Sequence, residues 1–213
     1  GKTIRWSDLE SSMDVPTDDE MALGARVKNW TSGDDAKVMI FSLSSEPGSG
    51  KTTIIRRIGY DLAGGGAVVL NLNSNSVIDP ENAARVLSAI NRPIVLLIDG
   101  LADHSPSMRS LISHVNLKRP LAILSADRDY RKDHIDRVLG DLNIEYFGVN
   151  DWPVESYEGL IEKLRRAGLL GDSDAIRYPK KFASALLRDP VAIASCRALN
   201  NFKPLETIVR SIW

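Results

Sequence analysis

Five short apolar runs stand between residues 38 and 149, each separated from the next by a stretch whose apolar residues recur at helical spacing. The runs are Val38–Leu43, Ala67–Leu72, Ile94–Ile98, Leu121–Leu124 and Ile144–Val149, and Ile94–Ile98 is the most strongly apolar. Between them the pattern predicts helices over Thr53–Ala63, from Asp79-Pro80-Glu81 to Ile90, over Pro106–Val115 and over Asp133–Leu139. Strands that are apolar throughout are buried on both faces, and alternation with helices makes the sheet parallel. Right-handed crossovers then give an α/β fold, a five-stranded parallel sheet between two helical layers.

The flanks read differently. Residues 1–35 look like a lead-in segment in which Asp18 and Asp19 start a helix through Met21, Ala22, Ala25 and Val27 to Trp30. Thr31-Ser32-Gly33-Asp34-Asp35 reads as a turn before the sheet region of residues 36–150. From Trp152 the strand signal ends. Val154–Gly168, Tyr178–Leu187, Val191–Leu199 and Leu205–Trp213 predict a helical subdomain over 151–213.

Composition changes this picture little. The 213 residues carry a net charge of -1 and are 43% hydrophobic and 26% charged, ordinary for a globular protein, so no basic field points to nucleic acid. The first twenty residues lean acidic and the last forty basic, which would help two ends or two subunits meet or merely solvate two surfaces. Cys196 is the only cysteine, which excludes an internal disulfide and fits an apolar filler in a reducing, cytoplasmic setting. No apolar run approaches the ~20 residues that cross a bilayer, and no secretion signal opens the chain. A start at Gly1 and an end at Trp213 are expected of a piece of a longer protein.

Chemistry concentrates in Ser45-Glu46-Pro47-Gly48-Ser49-Gly50-Lys51-Thr52-Thr53. The pattern is that of a phosphate-binding loop, Gly-x-x-x-x-Gly-Lys-Ser/Thr, with Ser45 at the first glycine position. It follows a predicted buried strand and opens a predicted helix. Gly48 and Gly50 let the backbone turn several N–H groups toward one anion, and the helix N-terminus aims its dipole at the same point. Lys51 is expected on the β- and γ-phosphates, and the Thr52 hydroxyl on Mg²⁺. The residues from Pro47 to Thr53 form the candidate nucleotide site.

Such a site needs a carboxylate for the metal, and Asp99, at the end of the most apolar strand, is the candidate. Asp103 is the candidate for orienting the attacking water, or else a cap for the helix after Pro106. Arg128, just past the fourth strand, either answers the γ-phosphate or pairs with Asp127 or Asp129. His104, His114 and His134 share no metal-ligand spacing. The run from Asn71 to Asn75 follows the second strand and is a possible neighbour of the nucleotide. No Asn-Lys-x-Asp segment is present to read guanine, which favours ATP.

Three landmarks together carry a family resemblance. Ser45–Thr53 looks like a Walker A motif. Ile94–Asp103, with Asp99-Gly100-Leu101, resembles the Walker B of STAND NTPases, the signal-transduction ATPases with numerous domains. Arg128-Asp129 resembles their Arg-Asp sensor, with Ala126-Asp127 where Thr-Thr is usual and Ala102 in place of the first acid after Asp-Gly-Leu. Pro190 is placed like the proline that lies against adenine in that family. The resemblance implies ATP or ADP and Mg²⁺ as ligands and a switch between resting and assembled states. It also implies self-association or neighbouring sensor and effector domains, as in bacterial antiphage systems. Other readings stay open here. A ring-forming AAA+ motor would use a finger such as Arg131, Arg137 or Arg165. A P-loop kinase would use Arg165-Arg166 in a lid. A nucleotide-binding scaffold would not hydrolyse at all.

Overall fold

The computed structural model describes residues 4–12, 14–72, 77–149, 151–170, 179–187, 189–204 and 206–208. They divide into two compact units. The first takes in Asp18–Glu46 and Lys51–Val149; the second takes in Arg5–Thr17, Pro47–Gly50 and the described part of Asn150–Trp213.

The first unit is built on five parallel strands: β1 (Val38–Ser44), β2 (Val68–Leu72), β3 (Ile94–Asp99), β4 (Leu121–Asp127) and β5 (Ile144–Gly148). Their order is β2-β3-β4-β1-β5, so β4 is inserted between β1 and β3. Ser44 pairs with Asp127 and Asp99 with Ala126, so the C-terminal ends of β1, β4 and β3 are level. In an open parallel sheet this is the edge where ligands gather.

Alternation along each strand feeds two cores. Ile94, Leu96 and Ile98 of β3 face one side, with Leu87 of α4 (Pro80–Ala89), Leu101, Met108 and Leu111 of α5 (Leu101–His114), and Ile135 and Leu139 of α6 (Lys132–Leu139). Val95 and Leu97 face the other side, with Leu23 and Val27 of α2 (Asp18–Thr31) and Ile54, Ile55 and Ile58 of α3 (Lys51–Gly64). Gly59 lets α3 sit close to the sheet, because a Cβ there would come within 2.7 Å of Leu97 Cδ1.

Two expectations change. The lead-in of residues 1–35 supplies a core helix: α2 buries Glu20, Leu23, Val27 and Thr31 and leaves Met21 60% exposed. That stripe is narrow and half polar, so periodicity alone reads the wrong face. Helix α5 begins at Leu101, five residues before Pro106, behind Gly100 in the left-handed region (φ 86°). A proline inside a helix strands the carbonyl four residues back. Here the Ser105 hydroxyl takes the Ala102 carbonyl at 3.0 Å, so the helix runs through.

In the second unit α7 (Val154–Arg166), α8 (Pro179–Leu186) and α9 (Val191–Leu199) bury Tyr157, Ile161, Leu164, Ala183, Leu186, Ala194 and Ala198. The short α1 (Trp6–Glu10) precedes a segment that α7 holds: Lys163 donates to the carbonyls of Ser12, at 2.5 Å, and Asp14. Residues 73–76, 178 and 188, and the helix expected over 205–213 apart from 206–208, lie outside the described residues.

Candidate functional site

The loop between β1 and α3 has the backbone that its glycines predict. Gly48 (φ 82°) and Gly50 (φ 95°) are both left-handed, a conformation that side chains resist. Lys51 opens α3 and is only 9% exposed. Its Nζ donates to the Ser45 carbonyl at 2.8 Å and to the Glu46 carbonyl at 2.6 Å, so the ammonium closes on its own loop. Burial lowers the Lys51 pKa; Asp129 and Asp99 oppose that, and the nearby Arg128 adds to it. The next residue, Thr52, donates its hydroxyl to Asp99 Oδ2 at 2.9 Å. Thr53 follows in the same turn, and Ser49 and Gly50 are half-buried in the loop.

Beyond Asp99 the chain turns at Gly100 into α5, with Asp103 in its first turn. Asp103 does not cap a helix beginning at Pro106. It forms a two-pronged ion pair with Arg131, at 2.7 Å to Oδ2 and 2.6 Å to Oδ1. The Arg131 guanidinium thereby holds the Asp103 carboxyl below the usual carboxylate range. Arg128 makes no ion pair with Asp127 or Asp129 among the described residues; it donates to the Tyr130 hydroxyl at 3.1 Å and lies 6.0 Å from that ring.

Within the second unit, the loop residues Pro47–Gly50 meet the start of α9. The Gly48 carbonyl accepts from the Ala192 N–H at 3.1 Å, and a Cβ on Gly48 would touch Pro190 Cβ at 3.6 Å. Pro190, expected on the adenine side, is thus a neighbour of the phosphate loop.

A hydroxyl and a carboxylate oxygen 2.9 Å apart, beside a buried ammonium and left-handed glycines, suit a hard divalent cation and a polyphosphate. Thr52 and Asp99 could hold the cation, and the loop the phosphates.

The profile of one protein family, described as Novel STAND NTPase 5, matches residues 1–139. This chain belongs to that STAND NTPase family. No curated protein matches it in sequence. Among solved structures, the Aeropyrum pernix ORC2 protein in its ADP form superposes with a TM-score of 0.57 at 14% identity, over 93% of this chain and 64% of that one. A Thermotoga maritima RuvB variant gives 0.61 at 16%, over 90% and 63%. Hsp104 from S. cerevisiae, in complex with casein, gives 0.57 at 11%, over 90% and 38%. At these identities the likeness is one of fold, a P-loop ATPase sheet, and this STAND NTPase spans less than two thirds of each of those chains.

The sequence reading of this NTPase missed Asp127. It ends β4 at 4% exposure and accepts from the Leu101 N–H (3.3 Å) and the Ala102 N–H (3.1 Å). Burial pushes its carboxyl above the usual range, against the pull of those N–H groups. In the sequence it is one charge in a run of charges, and only the strand register buries it. Arg131, a finger candidate for a ring-forming motor, is engaged within its own chain. Arg165 and Arg166 both pair with Glu162. Among the described residues no cluster of three metal-ligating side chains occurs, and no helix is long and apolar enough to cross a membrane.

Proposed function

We propose that this STAND NTPase module binds ATP in the loop from Pro47 to Thr53 and hydrolyses it slowly, as the switch of a larger signalling or defence protein. The observation that carries the reading is the Thr52–Asp99 hydrogen bond at 2.9 Å beside the buried Lys51. Loop N–H groups and Lys51 bind and orient the β- and γ-phosphates. Mg²⁺, held by Thr52 and Asp99, would neutralise charge building on the phosphate oxygens. Asp103 orients the attacking water, Arg128 answers the γ-phosphate, and Pro190 packs against the adenine. Because Pro190 and the Gly48 carbonyl belong to one unit, the helical part is the element that nucleotide state biases. The module works in the cytoplasm and through self-association or through neighbouring domains.

The test is calorimetry with ATP, ADP and GTP on the wild type and on Asp103→Ala, with phosphate release measured alongside. ATP should bind to both proteins, and turnover should fall roughly a hundredfold in Asp103→Ala, the span of a lost acid–base group. No ATP binding, or equal turnover in the two proteins, refutes the assignment.

A further inference from the structure

We infer that Arg131 is a positioning residue that restrains hydrolysis, holding Asp103 in an ion pair that must open before the carboxylate orders water. This rests on the role proposed above for Asp103.

The two side chains are brought together by backbone. Asp127, at the end of β4, accepts from Leu101 and Ala102 and so ties the first turn of α5 to β4. Asp103 stands in that same first turn. Arg131 closes the single 3₁₀ turn Asp129–Arg131 that leaves β4, and its N–H donates to the Arg128 carbonyl at 2.9 Å. The tie thus brings the guanidinium within reach of the carboxylate.

The pairing has a chemical consequence. Both Asp103 oxygens are engaged, at 2.6 and 2.7 Å, which fixes the carboxylate plane. A carboxylate held below its usual pKa range is also a poorer proton acceptor. Yet the side chains remain 34% and 58% exposed, and ion pairs open to solvent are held only loosely. Beside the pair lies a cavity of about 460 Å³, lined by Ala102, Asp103, Pro106, Tyr130, Arg131 and His134, with room for water and for Arg131 to move.

The experiment measures steady-state phosphate release and calorimetric ATP affinity for the full chain, with Arg131→Gln, Arg131→Lys, and Arg131→Gln in an Asp103→Asn background. Arg131→Gln should raise kcat by about twofold to fivefold, the span that an exposed ion pair can hold shut, with KM and ATP affinity unchanged. Arg131→Lys, which keeps the charge but loses the fork, should fall between. In the Asp103→Asn background, Arg131→Gln should change nothing. A kcat that stays level or falls while ATP is still bound overturns the inference, as does a gain that persists without the Asp103 carboxylate. If neither the wild type nor the variants bind ATP, the functional reading itself fails and the restraint goes with it. Should Arg131→Gln not fold, the comparison of Arg131→Lys with the wild type carries the test.

Discussion

Thr52 and Asp99 meet across 2.9 Å, hydroxyl to carboxylate, although 47 positions separate them in the chain. The strands that lead to them are not neighbours, because β4 lies between. The contact therefore depends on three strands ending level and on α3 starting at Lys51, directly behind the loop.

Asp99→Ala should remove the Mg²⁺ dependence of ATP binding. The affinity measured with Mg²⁺ should drop roughly tenfold to a hundredfold, the worth of a charged oxygen partner. Calorimetry with and without a chelator checks it. A dependence that survives the substitution moves the metal elsewhere.

Lys51→Ala should abolish measurable ATP binding. In the wild type, affinity should fall as pH rises through the lowered Lys51 pKa, because only the ammonium pairs with phosphate. The fall should begin below the range where an ordinary lysine titrates. Stability has the opposite sign. Between the folded and unfolded pKa values the unfolded chain binds the proton more tightly, so the Lys51 contribution favours folding more as pH rises through that window. An affinity that is flat up to the ordinary lysine range contradicts the Lys51 assignment.

Asp127→Ala would strand the N–H groups of Leu101 and Ala102 at a buried helix start. Urea unfolding should show a loss of about 1–3 kcal/mol. Asp127→Asn keeps one acceptor oxygen and should lose less. An Ala variant as stable as the wild type would mean that water serves those donors instead.

Gly59→Ala would force a methyl carbon to within 2.7 Å of Leu97 Cδ1 and 3.3 Å of Val69 Cγ1. Leu97 is fully buried, so it has little room to yield. A cost of about 1–3 kcal/mol in thermal or urea unfolding is expected, the usual penalty of overpacking.

Strand positions were legible in the sequence because β3 and β4 are covered on both faces, so that Ile94–Ile98 and Leu121–Leu124 read as unbroken apolar runs. The placing of Lys51 and Thr52 at the start of α3 and of Asp99 at the end of β3 was legible because each signal is local: a short motif, and the end of one strand. Arg131 and Asp127 were not, since their meaning is relational. Asp127 looks like a surface charge until the pairing of β4 with both β1 and β3 buries it, and Arg131 acquires a partner only through that tie. The start of α5 was misplaced for a different reason. Proline is usual in the first turn of a helix, and the hydroxyl of Ser105 that rescues an interior proline leaves no trace in the pattern.

The hydrogen bond from Ala192 to the Gly48 carbonyl bears on how the chain can be cut. A polypeptide ending at Val149 would keep all five strands, Lys51, Thr52 and Asp99, and the whole of the family match over residues 1–139. It would discard Pro190 and Ala192, against which the glycine turn is seated. A fragment that retains this hydrogen bond is therefore longer than the sheet, and runs at least through the first turn of α9.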